Sequence, residues 1–98
     1  MKEVKLFHLT GCPYCIHAKN ALQELVRENE EYGKISIHWI EEQEEAETAE
    51  QYDYYYVPTV FFGAEKLYEA DPSQSYEDIK ACLKKALDTI LSEQSSFI

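Results

Sequence analysis

Two cysteines separated by two residues, Cys12 and Cys15, are the side chains best suited to chemistry in this sequence. They stand where an apolar stretch, Val4 to Leu9, gives way to an amphipathic pattern that predicts a helix. Thiols about one helical turn apart can form a disulfide or share a metal ion. The spacing therefore indicates redox chemistry or metal binding.

The two thiols should differ in reactivity because their positions differ. Cys12 begins the helix, where unpaired backbone N–H groups and the positive end of the helix dipole favour a thiolate. Pro13 fits the first helical position, because its φ is already helical and its missing N–H would have no partner there. Cys15 heads an apolar stripe that continues with Ala18 and Leu22. We expect Cys12 to be an exposed, low-pKa attacking thiol and Cys15 to be the shielded, resolving thiol.

The elements that must position these thiols alternate between strand and helix. The predicted strands are Val4 to Leu9, Lys34 to Ile40, a short strand that starts at Pro58 and ends at Phe62, and Lys66 to Ala70. Three helices are predicted. The first runs from Pro13 to about Glu31 and is closed by Gly33 in a left-handed conformation, and the second is a short acidic helix within Glu41 to Tyr52. The last helix is opened by a capping box at Ser75 to Asp78. Residues Ser92 to Ile98 are predicted to be a frayed tail. The order is βαβαββα, with the first two strands parallel and the last two antiparallel.

Length and charge restrict the function. With 98 residues the chain, 1–98, is one domain. A net charge of −10 should repel phosphate backbones and anionic lipid, so we expect no nucleic-acid partner and no membrane association. The sequence contains no run of about 20 apolar residues and no signal-peptide pattern, so we expect a cytoplasmic protein. We also expect a monomer. Three cysteines in that compartment favour a catalytic or metal-binding pair over structural disulfides.

The Cys12-Pro13-Tyr14-Cys15 motif after a strand, with Val57-Pro58-Thr59 before a later strand, resembles the glutaredoxins of the thioredoxin-fold superfamily. The resemblance covers essentially the whole chain and implies an α/β thioredoxin fold, a four-stranded mixed sheet flanked by three helices. It also implies a thiol–disulfide oxidoreductase in which Cys12 is the nucleophile, Cys15 resolves the mixed disulfide and Pro58 is a cis-proline facing them. The Val57 backbone would then pair with an extended substrate, with Tyr14, Tyr56 and Thr59 beside it.

Two departures from the glutaredoxin pattern concern glutathione. Glutaredoxins usually carry a lysine three residues before the first cysteine, and this chain has Leu9. They also carry a Gly-Gly pair after the last strand, where this chain has Tyr68-Glu69-Ala70-Asp71-Pro72. A protein of charge −10 without these anchors should bind glutathione, which has two carboxylates, weakly. Glutathione is therefore expected at most as a co-substrate. We expect no resident cofactor or metal. The reductant is either glutathione or a flavoprotein of the thioredoxin-reductase type.

Other interpretations stay open. A zinc site would need Cys82 with His8, His17 or His38 to complete four ligands, and Cys82 beside an apolar stripe is better interpreted as a packing residue. His8 is a weak candidate for accepting the Cys15 proton. Three consecutive tyrosines, Tyr54 to Tyr56, cannot all face inward in an extended segment, so at least one should be exposed beside the thiols. With the acidic stretch from Glu41 to Glu50, such a rim would select a disulfide-containing protein substrate. The rivals are a thioredoxin-like reductase and a non-catalytic module that binds metal or a partner protein.

Overall fold

A four-stranded mixed sheet forms the centre of the computed structural model, which describes residues 2–95. The strands are β1 (Val4–His8), β2 (Ile37–Glu41), β3 (Thr59–Phe62) and β4 (Glu65–Glu69), and the helices are α1 (Pro13–Glu28), α2 (Ala46–Ala49) and α3 (Tyr76–Ser95). The strand order is β2-β1-β3-β4, with β1 and β2 parallel and the other neighbours antiparallel. The predicted α/β thioredoxin fold and its βαβαββα order are confirmed.

The sheet separates two apolar clusters of unequal size. One face carries the main core, in which α1 and α3 pack together over residues such as Leu6, Leu25 and Ile90, each with 0% of its surface exposed. The other face carries a small cluster of Phe7, Ile40 and Phe61, which is covered by the α2 segment and its tyrosines. Alternation along β1 explains the division, because successive side chains of a strand point to opposite faces. Helix α1 begins shortly after β1 ends, so its N-terminus lies beside the carboxyl end of β1.

The start of α3 follows the predicted capping box. The Ser75 N–H donates to Asp78 Oδ2 at 3.0 Å, and the Asp78 N–H donates to Ser75 Oγ at 3.2 Å. Two backbone donors that a helix start leaves unpaired are satisfied in this way. The far end of α3 differs from prediction, because residues 92–95 are helical instead of frayed, while residues 96–98 of the predicted tail lie outside the described part of the chain.

Two predicted boundaries and one predicted helix cap are wrong around the crossover. Helix α1 ends at Glu28 and not near Glu31, and β2 starts at Ile37 and not at Lys34. A 3-10 helix, Glu30–Lys34, fills the gap, and Gly33 lies within it without a positive φ. Two contacts hold this segment. Asn29 Oδ1 accepts the Glu31 N–H at 3.1 Å, and the hydroxyl of Tyr32, which is 4% exposed, donates to the Asp88 carboxylate on α3.

The acidic segment forms the short helix predicted within Glu41 to Tyr52. Only four residues form α2, and none of them is buried. Among the helices in residues 2–95, none combines the length and the apolar character that a membrane crossing requires.

Candidate active site

The candidate site begins at the turn that joins β1 to α1. Gly11 has a φ of 83°, a left-handed conformation that other residues rarely adopt. The Cys12 N–H donates to the Leu9 carbonyl at 3.3 Å, and the Cys12 carbonyl accepts the first helical bond from the Ile16 N–H at 3.0 Å. Cys12 is therefore the N-cap residue of α1, and Pro13 occupies the first helical turn as predicted.

A buried carboxylate at the end of β2 holds this turn. Glu41 accepts hydrogen bonds from the Gln43 N–H at 2.6 Å and from the Thr10 hydroxyl at 3.1 Å. The Gln43 N–H lowers the pKa of Glu41, burial opposes the shift, and the Thr10 bond adds to the lowering. The charged carboxylate thus ties the residues just before the first cysteine to the neighbouring strand.

The sulfur of Cys12 lies over the N-terminus of α1. Its Sγ accepts a hydrogen bond from the backbone N–H of Cys15 at 3.4 Å. Backbone donors and the positive end of the helix dipole stabilise negative charge on a sulfur in this position. The residue is half-buried, so a reactant can reach it.

Cys15 is shielded, with 6% of its surface exposed. Burial raises the pKa of the Cys15 thiol to about 12, a backbone hydrogen bond with Leu9 opposes the shift, and the Cys12 sulfur adds to it. A thiol with such a pKa stays protonated at neutral pH. Because one thiol is accessible at a helix start and the other is buried and protonated, the pair can act in sequence.

The loop before β3 faces this pair. The Val57–Pro58 peptide bond is cis, as the resemblance implied, and the Cys12 thiol lies 3.9 Å from the Val57 carbonyl oxygen. No hydrogen bond to the Val57 N–H is found within residues 2–95. Thr59 is fully buried, and its hydroxyl donates to the Tyr56 carbonyl, so this side chain supports the loop from below.

Two of the three consecutive tyrosines are exposed, which confirms the prediction that at least one would be. Tyr55 is 87% exposed and Tyr56 is 54% exposed, whereas Tyr54 is half-buried against Phe7. The Tyr54 hydroxyl donates to Glu42 Oε2 at 2.6 Å. Burial is the main cause that raises the pKa of Tyr54, and the Glu42 carboxylate raises it further. Tyr55 and Tyr56 therefore form an exposed rim, which we call the tyrosine rim.

Glu69, a residue that the sequence did not single out, holds the tyrosine rim in place. Its Oε2 accepts the backbone N–H groups of Tyr55 at 2.6 Å and Tyr56 at 2.8 Å, and its Oε1 binds Lys66 Nζ at 2.7 Å. Lys66 Nζ also donates to the Asp53 carbonyl at 3.3 Å. We call this arrangement the Glu69 clip. The only sequence signal was an acidic residue in the stretch that replaces the Gly-Gly pair.

Tyr14 bridges α1 to that same stretch. Its hydroxyl donates to the Pro72 carbonyl at 2.9 Å, and its ring packs against the main core. The Asp71 carboxylate accepts from the N–H of Ser73 at 2.9 Å and from its hydroxyl at 2.8 Å. Polar groups that could meet a small anionic ligand here are therefore already engaged within the chain.

The remaining candidates, His8 and Cys82, have structural contacts. The His8 ring stacks edge-on against Trp39, with 5.5 Å between ring centroids. Cys82 is half-buried against the main core and accepts a hydrogen bond from Gln74 Nε2 at 3.5 Å, in agreement with a packing role. Within residues 2–95, no group of three or more His, Cys, Asp or Glu side chains is arranged to hold a metal ion.

Two solved structures resemble the fold. A malarial protein matches with a TM-score of 0.57 and 22% identity over 87% of this chain and 96% of its own. The germline-specific thioredoxin Deadhead from Drosophila melanogaster matches with a TM-score of 0.56 and 17% identity over 86% of this chain and 79% of its own. At these identities the similarity shows the fold alone. A search of curated protein sequences finds no match to the chain.

The family model for glutaredoxin matches residues 4–67. This span is more than half of the 98 residues and includes both cysteines and Pro58. It supports a function of the thiol–disulfide oxidoreductase type. The chain therefore belongs to the glutaredoxin family.

Proposed function

We propose that the chain reduces disulfides through a cycle in which Cys12 and Cys15 alternate between dithiol and disulfide. The observation that carries the proposal is the placement of the two sulfurs: Cys12 Sγ accepts the Cys15 N–H at the helix start, and the Cys15 thiol is buried and protonated. An accessible thiolate beside a shielded thiol is the arrangement that a two-step exchange requires.

The first step is attack by the Cys12 thiolate on one sulfur of a substrate disulfide. The substrate S–S bond breaks, a mixed disulfide with Cys12 forms, and the other substrate sulfur leaves as a thiolate that takes a proton. In the second step Cys15 loses its proton to solvent and attacks Cys12 Sγ, so that the bond between Cys12 and the substrate breaks and a Cys12–Cys15 disulfide forms. The second substrate sulfur leaves as a thiolate that takes a proton from solvent. Two electrons have then passed to the substrate, and an external thiol reductant must restore the dithiol.

The loop at Val57 supports binding of an extended substrate. Its backbone N–H has no partner within the described residues, and its carbonyl lies beside Cys12 Sγ. A substrate strand that pairs with this backbone would bring its disulfide to the attacking sulfur. The tyrosine rim lies directly before this loop, so we propose that it contacts the residues that flank the substrate disulfide.

A protein substrate fits this surface better than glutathione does. Leu9 provides no positive charge before the first cysteine, and the Asp71 carboxylate is already bonded to Ser73. We propose that glutathione acts at most as a slow reductant and that a flavoprotein of the thioredoxin-reductase type is the alternative. Comparing the two reductants on the oxidised protein distinguishes a glutaredoxin cycle from a thioredoxin-like one.

The test is reduction of a synthetic peptide with one intramolecular disulfide by the fully reduced protein. Cys12→Ser should abolish the reaction, since no other thiol is placed to attack. Cys15→Ser should stop after the first step and accumulate a mixed disulfide that mass spectrometry detects. Cys82→Ser is the matched control and should react at the wild-type rate.

Full activity in Cys12→Ser would refute the assignment. Metal bound to protein purified without chelators, together with a low free-thiol count and no peptide reduction, would instead favour the non-catalytic module.

A further inference from the structure

A shallow groove runs beside Cys15, between α1 and the edge strand β2. Its first part, of about 440 Å³, is bordered by Gly11, Cys15 and Lys19. Its second part, of about 690 Å³, continues to Arg27. Lys19 and Trp39 border both parts, so the two parts adjoin at these side chains and together extend along α1 from Cys15 to Arg27. We call it the α1–β2 groove.

The groove collects exposed apolar side chains. Five large hydrophobic residues are exposed in the described part of the chain, and three of them border the groove: Ile16 at 53%, Val26 at 38% and Trp39 at 37% exposure. The other two form the tyrosine rim. Apolar side chains gathered in one exposed place are typical of binding surfaces, because single exposed residues are normally scattered.

The charge of the groove is opposite to that of the molecule. The chain has 19 acidic residues, yet none of them borders either part of the groove. Two cations do, Lys19 and Arg27. Six of the nine lysines and arginines form salt bridges with carboxylates, and within residues 2–95 only Lys19, Arg27 and Lys85 do not.

We propose that the α1–β2 groove binds an acidic segment of a partner protein in which apolar side chains alternate with carboxylates. The apolar side chains would cover Ile16, Val26 and Trp39, and the carboxylates would approach Lys19 and Arg27. From Cys15 to Arg27 the helix rises about 18 Å, a distance that five or six extended residues span. The identity of this partner as a substrate or a reductant rests on the proposed function, whereas binding to the groove does not.

A peptide is favoured over a nucleic acid as the occupant. A net charge of −10 disfavours every polyanion, and a phosphate backbone offers no apolar side chains to compensate for that repulsion. The apolar side chains of the groove also require apolar groups on the partner. Binding of an oligonucleotide is therefore an outcome that the test must include.

Trp39 makes the test direct, because it is the only tryptophan of the chain and lies in the groove. The probe is a capped octapeptide of alternating glutamate and leucine, added to the reduced full-length protein. Its binding should shift Trp39 emission to shorter wavelength and saturate, and the shift should weaken as salt rises. An octapeptide of alternating lysine and leucine and an eight-nucleotide oligothymidylate should produce no saturable shift.

Charge reversal locates the binding site. Lys19→Glu and Arg27→Glu should each weaken binding of the acidic peptide by about threefold to tenfold. Lys85→Glu is the matched control, because it changes the net charge equally and lies on α3 away from the groove. It should bind like the wild type.

The proposal is overturned by three results: no saturable shift with the acidic peptide, equal binding of the lysine peptide or the oligonucleotide, or equal weakening by Lys85→Glu. The peptide-disulfide assay is separate. If peptide reduction fails while groove binding persists, the proposed function is wrong and the groove assignment stands.

Discussion

At the scale of single residues, the two thiols of the motif differ through burial. Cys15 is 6% exposed, and this burial raises its pKa to about 12, so about one molecule in 10,000 carries a Cys15 thiolate at pH 8. Iodoacetamide should therefore alkylate Cys12 of the reduced protein at neutral pH and leave Cys15 unmodified, as peptide mapping by mass spectrometry will show.

The raised pKa of Cys15 also fixes the direction in which its alkylation rate should change with pH. Because its pKa is raised, Cys15 forms a thiolate only as the pH rises. Below pH 12, the fraction of Cys15 in the thiolate form increases about tenfold for each pH unit. In Cys12→Ser/Cys82→Ser, alkylation of Cys15 should climb steadily from pH 8 to pH 11 without a plateau. Cys15→Ser/Cys82→Ser is the matched variant for Cys12. The burial argument would be wrong if Cys15 reacted faster than Cys12 at pH 7.

At the scale of elements, β4 positions the loop that faces the thiols through the Glu69 clip. Burial opposes ionisation of Glu69, yet Lys66 and the N–H groups of Tyr56 and Tyr55 lower its pKa overall. The clip is therefore charged at pH 7 and is lost only as pH falls through that lowered pKa. Glu69→Ala frees the tyrosine rim and should raise KM for the peptide disulfide by several-fold while kcat changes less.

Two variants separate positioning from general destabilisation. Glu69→Gln retains one acceptor oxygen and should recover part of the lost affinity. Glu65→Ala removes an exposed acid from the same strand and should leave KM unchanged. If Glu69→Ala lowered kcat alone, or if Glu65→Ala had the same effect, the clip would have no role in positioning the loop.

The sequence predicted the elements whose signals are local. The proline after Cys12, the apolar stripe of α1 and the Ser75–Asp78 box each depend on neighbours within one or two turns, and each is found. The 3-10 helix that precedes β2 places Tyr32 in contact with Asp88, 56 residues away, a contact that the sequence alone does not reveal. The Glu69 clip joins residues 13 and 14 apart across a hairpin, and no local pattern reveals such a contact.

At the scale of the whole molecule, negative charge is concentrated on the face of the sheet that carries the smaller apolar cluster. The stretch from Glu41 to Glu50 contains six glutamates, with both end residues counted. No lysine or arginine occurs after Lys34 and before Lys66. This acidic segment covers the small cluster on that face, and its helix α2 contributes no buried residue. Few apolar contacts and like-charge repulsion act together there, so we expect this face to open at a lower free energy than the main core.

Hydrogen exchange measured at two salt concentrations tests this expectation. The amides of Ala49 and Tyr52, which bond only within the acidic segment, should exchange faster than those of β1 and β3. Raising the ionic strength from about 0.01 M to 0.15 M shortens the Debye length from about 30 Å to 8 Å and should slow this local exchange by several-fold. Glu47→Gln/Glu50→Gln should reduce that salt effect, because it removes two exposed charges from the repelling set. Salt-independent exchange, or exchange of Ala49 and Tyr52 at the rate of β1, would mean that the acidic face opens only when the whole molecule unfolds.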